Sequence, residues 1–195
     1  LLYADYRVRY AMTDGHIPSK GGTDLMASDD NGHSFKHRAT IAVDREGNDL
    51  YGEPALEETA DGGLICVTRK ADHEQKPMMM NFSSDAGYTW SEPEELAEFG
   101  VFPFLIKLPS GPLVVSYGRP GVWIKSNADG LGRNWSNPIC IIEGDHNEVG
   151  AHTCGYTGMI VLGPKSFLLT YSDFDHRTSE GVPHKAILSR RIDLE

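Results

Sequence analysis

The 195-residue sequence predicts an all-β fold of the β-propeller class. Three observations support this: a hairpin pattern that returns at a regular interval, a turn motif that accompanies it, and poor helical periodicity along the whole chain. The interval is about fifty residues, which fits propeller blades that each contain four antiparallel strands. The predicted architecture is therefore a series of similar small sheets.

The hairpin pattern is clearest in residues 52–69. An Asp-Gly-Gly turn at residues 61–63 separates a short first strand from the β-rich stretch 64–68. In an antiparallel hairpin the start of the first strand lies beside the end of the second. We therefore expect Glu53 and Arg69 to meet at the open end of this hairpin.

The same pattern returns in residues 102–119 and 156–173. When the three hairpins are superposed on Leu56, Leu105 and Met159, two sets of residues become equivalent at the open end. The leading strands contribute Glu53, Phe102 and Tyr156, and the following strands contribute, to within one residue, Arg69, Arg119 and Asp173. Successive blades present equivalent ends to one face of a propeller, so four side chains are expected to gather on one surface: Glu53, Arg69, Arg119 and Tyr156.

A second motif, Ser-x-Asp-x-Gly-x-x-aromatic, occurs at residues 28–35 and 83–90, and a longer variant occupies residues 126–135. The Asp is expected to accept hydrogen bonds from backbone amides and the Gly to adopt a positive φ, while the aromatic residue packs back on the sheet. Three copies at the spacing of the repeat predict the same hairpin turn in three successive blades.

The repeat divides the chain into blades of one propeller domain. Residues 1–50 are predicted to form a partial blade whose first strand is missing, and residues 51–100, 101–150 and 151–195 are predicted to form one blade each. About three and a half blades are expected in total. The last segment contains no copy of the turn motif.

Composition excludes several classes of partner. Lys and Arg number 18 against 28 Asp and Glu, a net charge of −10, which argues against a nucleic-acid or anionic-membrane surface. Apolar runs are too short for a membrane span. His16, His33 and His37 show no metal-ligand spacing, and no metal and no cofactor is predicted. Cys66 and Cys140 lie in apolar strand-like runs and are expected to be buried free thiols.

Arg69 and Arg119 occupy matched strand ends of adjacent predicted blades. Two guanidinium groups that converge on one anion bind a carboxylate with paired hydrogen bonds, which supplies both charge and orientation. The alternative is that each arginine is structural, and Glu53 could be the ion-pair partner of Arg69 in either case.

These hairpins and turns resemble the sialidase (neuraminidase) superfamily, in which the Ser-x-Asp motif is the Asp-box, or BNR, repeat. The resemblance covers nearly the whole chain but matches only the later blades of a six-bladed sialidase propeller. It implies a retaining glycoside hydrolase that releases terminal sialic acids, or related acidic sugars, from glycoconjugates. It implies Tyr156 as nucleophile and Glu53 as its base, with Arg69 and Arg119 in the arginine cluster that binds the substrate carboxylate.

A tyrosine nucleophile has a physical reason in this chemistry. A sialic acid carries a carboxylate on its anomeric carbon, so a carboxylate nucleophile would approach against like charge. The tyrosine hydroxyl is neutral at rest and can be deprotonated by a nearby Glu, which avoids that repulsion. The alternative for Tyr156 is that it fills the central channel of the propeller.

The sequence also departs from the family pattern. It shows neither the acid/base Asp nor the first arginine, which the resemblance places in earlier blades, so activity is expected to need the missing N-terminal blades. Two other functions stay open: a non-catalytic carbohydrate-binding propeller, and a glycosidase or lyase for another acidic glycan, with His152 as a neutral base. The resemblance favours a secreted or periplasmic location.

Overall fold

The computed structural model describes residues 1–7, 11–12, 14–17, 20–70, 75–147 and 155–194. Within these ranges the chain forms fourteen β-strands and no helix. The strands make four antiparallel sheets, and in every sheet the neighbours in space are also neighbours along the chain. Such consecutive hairpins confirm the predicted all-β fold class.

Sheet 1 contains β1 (Leu2–Arg7), β2 (Gly22–Ala27) and β3 (Lys36–Val43). Sheet 2 contains β4 (Gly52–Glu58), β5 (Leu64–Arg69), β6 (Met78–Ser83) and β7 (Glu94–Ala97). Sheet 3 contains β8 (Val101–Lys107), β9 (Leu113–Gly118), β10 (Val122–Asn127) and β11 (Ile139–Ile142). Sheet 4 contains β12 (Thr157–Gly163), β13 (Ser166–Arg177) and β14 (Pro183–Asp193).

The sheets form two compact units, Leu1–Glu98 with sheets 1 and 2 and Phe99–Glu195 with sheets 3 and 4. Each unit has its own apolar core. In the first, Leu25 and Ile41 of sheet 1 pack in one cluster with Cys66 of sheet 2. In the second, residues of both sheets form a larger cluster that includes Val114, Val122, Met159, Phe167, Leu169 and Tyr171. Alternate residues of β13, namely Phe167, Leu169 and Tyr171, belong to this core, as the two-residue period of a strand requires.

The Ser-x-Asp turns follow β2, β6 and β10, and each leads into the next strand of its sheet. The first two have the same hydrogen bonds: the amides of Gly32 and Gly87 donate to the preceding Ser hydroxyl at 2.8 and 2.9 Å. Asp30 and Asp85 each accept from the amide and hydroxyl of the residue four positions later. Local side-chain acceptors thus replace the ladder hydrogen bonds that the turn lacks.

The third turn uses a different side chain. Asn127, not Ser126, occupies the position of the serine, and its Oδ1 accepts the amide of Gly132 at 2.8 Å. Its amide group donates to the carbonyl of Asn134 at 3.0 Å, which spans the longer loop. A serine hydroxyl is shorter and offers one donor, so the two-ended amide of Asn suits the inserted residues.

The thiols differ in burial. Cys66 lies at the centre of β5 and is fully buried, and this burial raises the pKa of the thiol well above its usual range. The prediction of a buried thiol is wrong for Cys140, which is exposed because it lies on β11, the outer strand of sheet 3. Among the described residues there is no helix long and apolar enough to cross a membrane.

Candidate functional site

The open end of the β4–β5 hairpin brings Glu53 and Arg69 together. Gly52 pairs with Arg69 across the two strands, which places Glu53 beside the arginine. Arg69 Nη1 donates to Glu53 Oε1 at 3.1 Å, and the side chains are 13% and 20% exposed respectively. A partly buried charged pair of this kind holds both groups in a defined orientation. The hairpin geometry that the sequence predicts is therefore present at this position.

Glu53 lies on a β-bulge that has a counterpart in sheet 3. The strand register shifts between Gly52 and Ala55 and again between Val101 and Phe104. Inside the two bulges, Glu53 and Phe102 both have a φ of 47°, a left-handed conformation that costs a non-glycine residue about 1–3 kcal/mol. Bulges re-aim side chains and are common beside active sites.

Sequence reasoning missed these bulges. A signal was available, because both residues precede a proline, Pro54 or Pro103, at the same position of the repeat. Proline has no amide proton to donate to the ladder, so it is found at bulges and edges rather than inside regular strands.

In the second unit, Arg119 follows β9 and Tyr156 precedes β12. The guanidinium carbon of Arg119 lies 5.8 Å from the centre of the Tyr156 ring, within the range of a cation–π contact. The amide of Ser172 on β13 donates to the Tyr156 carbonyl at 3.3 Å and fixes the backbone there. Arg119 and Tyr156 therefore form a second pair of predicted site residues.

Two glycines make this pairing possible. A methyl group built on Gly118 would lie 2.5 Å from the Cα atom of Gly155, so the two backbones touch. A methyl group on Gly155 would lie 3.1 Å from Nη2 of Arg119, so the guanidinium group rests directly on the bare backbone. Nearby, the buried hydroxyls of Ser116 and Thr157 share a hydrogen bond of 2.8 Å between β9 and β12.

Arg119 differs from Arg69 in its electrostatic surroundings. Within the described ranges no carboxylate lies within ion-pair distance of Arg119, whereas Arg69 pairs with Glu53 at 3.1 Å. A half-buried cation that lacks an anionic partner is a favourable place for a ligand carboxylate, because much of its desolvation cost is already met by folding. Arg119 is thus the stronger candidate for an anion-binding residue.

An exposed aromatic pair lies beside Arg119. The rings of Phe102 and Tyr156 are 4.6 Å apart between centroids and tilted by 55°. Phe102 is 40% exposed and Tyr156 50% exposed, although both are large apolar groups. Aromatic rings left in solvent next to a polar group are typical of ligand-binding surfaces.

The four predicted site residues thus stand as two pairs, Glu53 with Arg69 in the first unit and Arg119 with Tyr156 in the second. Asp173 is the residue equivalent to Arg69 and Arg119 in the third hairpin. It accepts a hydrogen bond from His176 at 3.3 Å. His152, the alternative base, lies outside the described residues.

Comparison with known proteins finds no matching family model and no matching curated protein. Solved structures do match. A protein of unknown function from Dyadobacter fermentans aligns with a TM-score of 0.77 at 20% identity, over 100% of this chain and 50% of that one. The chain thus spans about half the length of that protein.

Two enzymes are also similar. An α-L-arabinofuranosidase from Fusarium graminearum aligns with a TM-score of 0.64 at 16% identity, over 98% of this chain and 62% of the enzyme. The NanB sialidase from Streptococcus pneumoniae aligns with a TM-score of 0.58 at 20% identity, over 90% of this chain and 28% of the enzyme. At these identities the likeness concerns the fold. The chain therefore has a β-propeller fold, of which it forms a part.

Proposed function

We propose that the chain is part of a sialidase-like glycoside hydrolase that releases terminal sialic acids, or related acidic sugars, by a retaining mechanism. The observation that carries the proposal is Arg119, a half-buried cation that contacts the Tyr156 ring and has no carboxylate partner in the described part of the chain. Glycan-acting propellers among the similar structures support a carbohydrate as the substrate.

In this proposal Tyr156 is the nucleophile and Glu53 its base. Glu53 takes the phenol proton as the Tyr156 oxygen bonds to the anomeric carbon, and the bond from that carbon to the leaving oxygen breaks. The leaving oxygen takes a proton from an acid, which the family resemblance places in earlier blades. Water then hydrolyses the bond between tyrosine and sugar, which restores the phenol and retains the configuration.

The arginines bind the substrate carboxylate in the same proposal. Arg119 has no carboxylate partner among the described residues, whereas Arg69 donates to Glu53 and also orients this base. A planar guanidinium group with parallel donors fits a carboxylate better than an ammonium group does. Binding of the anion beside a neutral phenol keeps like charges apart until the proton is removed.

The test is Tyr156→Phe in the intact protein, assayed for hydrolysis of an aryl sialoside. The change removes one oxygen, so sialic acid affinity is expected to stay within a few-fold while turnover falls by about a thousandfold or more. Glu53→Gln should lower turnover by about 10²- to 10⁴-fold, since the phenol loses its base. Unchanged turnover in Tyr156→Phe would exclude the nucleophile.

Tyr88→Phe is the matched control. Tyr88 is 64% exposed and its ring also lies under a guanidinium group, with Arg38 at 4.8 Å, but it belongs to a surface turn. Turnover in this variant should equal that of the wild type, which separates loss of a nucleophile from loss of an arginine–tyrosine contact.

A second candidate function is glycan binding without hydrolysis. The exposed ring pair of Phe102 and Tyr156 favours it, because aromatic surfaces bind sugars without any catalytic group. Affinity for a sialoside in a protein that never turns it over would support this function over the hydrolase. The arabinofuranosidase among the similar structures makes a neutral sugar a useful competitor in the same assay.

A further inference from the structure

We propose that Phe102 is a specificity-determining residue: its ring, with that of Tyr156, receives the apolar C–H face of a sugar whose carboxylate binds Arg119. This rests on the proposed function and adds to it the residue that contacts the apolar face of the acidic sugar. A simple carboxylate such as acetate would contact only Arg119, and a neutral sugar would contact only the rings of Phe102 and Tyr156.

The backbone conformation of Phe102 indicates that the direction of its side chain has a functional reason. Its left-handed φ of 47° is unfavourable for a bulky residue, and its ring remains 40% exposed, so burial in the core does not compensate for the conformation. Strained residues that persist without such burial cluster at ligand sites.

The equivalent bulge in sheet 2 shows that the backbone does not require an aromatic residue. Glu53 has the same φ of 47° and the same following proline, yet it is charged and contacts an arginine. The bulge therefore sets the direction of the side chain whatever the residue type. The presence of Phe at residue 102 needs a separate reason. A ligand with an apolar face supplies one.

The ring geometry leaves room for that ligand. Because the rings of Phe102 and Tyr156 are tilted by 55° and not stacked flat, they form an angled apolar surface with exposed area on both residues. The Arg119 guanidinium group lies 5.8 Å from the centre of one of these rings. An apolar surface with a cation at its border matches a sugar ring that has C–H groups on one face and a carboxylate at its edge.

The experiment measures the affinity of the intact protein for three probes by NMR titration: N-acetylneuraminic acid, acetate and methyl arabinofuranoside. Phe102→Leu should weaken binding of the sugar acid by about tenfold, because the aromatic contact is lost, and leave acetate within twofold. Arg119→Gln should weaken the sugar acid and acetate alike and leave the neutral glycoside unchanged.

Two further variants guard against a folding artefact. Phe102→Tyr keeps the ring and should retain sugar-acid affinity. Phe35→Leu is the matched control, since Phe35 is 37% exposed and packs on Tyr3 at 4.8 Å in the first unit. It should leave all three affinities unchanged.

Equal losses for the sugar acid and acetate in Phe102→Leu, or no loss for either, would overturn the proposal. The outcome is separate from that of the hydrolase test. Sugar-acid binding that depends on Phe102 in a protein without turnover would sustain this inference and refute hydrolysis. Hydrolysis by a protein whose Phe102→Leu variant has normal sugar-acid affinity would support the hydrolase and refute the role of Phe102.

Discussion

Gly118 and Gly155 determine how closely the strand ends of β9 and β12 approach each other. Their backbones are in contact, and the guanidinium group of Arg119 lies on the bare face of Gly155. Neither glycine is needed for its conformational freedom. Each glycine matters because it has no side chain, which allows the close approach. Replacement of either one by alanine therefore tests whether this close approach is needed.

Gly155→Ala should weaken binding of sugar acids several-fold with little loss of stability. The new methyl group would lie 3.1 Å from Nη2 and 3.2 Å from Nε of Arg119, so the flexible guanidinium group must move by a few tenths of an ångström. Titration with N-acetylneuraminic acid and urea unfolding measure the two effects. Gly158→Ala is the control, because a methyl group there meets nothing within 4 Å.

Gly118→Ala should behave differently, since its methyl group would lie 2.5 Å from backbone atoms of Gly155 that cannot move alone. Overpacking of this kind costs about 1–3 kcal/mol of unfolding free energy. If Gly118→Ala is as stable as Gly158→Ala, the two strand ends are not in contact in solution.

Among the elements, the first two Ser-x-Asp turns are near copies, and one position separates them. Asn31 and Ala86 occupy the same place with φ values of 59° and 60°, and both are exposed. Asparagine tolerates the left-handed region, whereas for alanine it costs about 1 kcal/mol. The second turn is therefore strained where the first is not.

Exchange of the two residues should have opposite effects. Ala86→Asn is expected to raise the free energy of unfolding by about 0.5–1 kcal/mol, and Asn31→Ala to lower it by a similar amount. Urea unfolding at neutral pH measures both. Changes of the same sign in the two variants would contradict the strain argument.

The aspartates of these turns predict an acid-sensitive contribution to stability. The hydroxyl and amide of Ser34, and the hydroxyl of Ser28, lower the pKa of Asp30 to about 2. Thr89 and Ser83 lower the pKa of Asp85 to about 2 in the same way. An unfolded Asp has a pKa of about 3.9, so this contribution is complete above pH 4 and is lost as the pH falls toward 2.

The double variant Asp30→Asn, Asp85→Asn should therefore show a smaller fall in unfolding midpoint between pH 5 and pH 2 than the wild type. Midpoints from urea titrations across this range provide the measurement. Asp29→Asn is the control, because the carboxylate of Asp29 accepts no hydrogen bond from the residues that the structure describes. A parallel fall in the double variant and the wild type would contradict the assignment.

At the scale of the whole molecule, the sequence was most informative where contacts are local. The meeting of Glu53 with Arg69 follows from one hairpin, and the all-β class follows from a hairpin repeat that begins sheets 2, 3 and 4. The contact of Arg119 with Gly155 could not be predicted, because it depends on how sheets 3 and 4 pack. Packing distances between sheets depend on the core as a whole and leave no periodic signal.

Three other features differ from what the sequence predicts, and each depends on strand register, strand order or loop length. The left-handed Phe102 reflects a bulge that only the register of β8 on β9 reveals. Cys140 is exposed because an apolar strand can still be the outer one of its sheet. Asn127 replaces a serine because the third turn is longer, and the sequence pattern alone favoured the adjacent Ser126.

The buried thiol of Cys66 makes the chain suited to kinetic study. Only a thiolate reacts with alkylating reagents, and burial at the centre of β5 both shields this thiol and keeps it protonated. Modification of Cys66 therefore has to wait until sheet 2 opens, whereas the exposed Cys140 can react without any opening. At an iodoacetamide concentration high enough for alkylation to outpace reclosing, the rate at which the peptide containing Cys66 gains mass would give the opening rate of the sheet that holds Glu53 and Arg69.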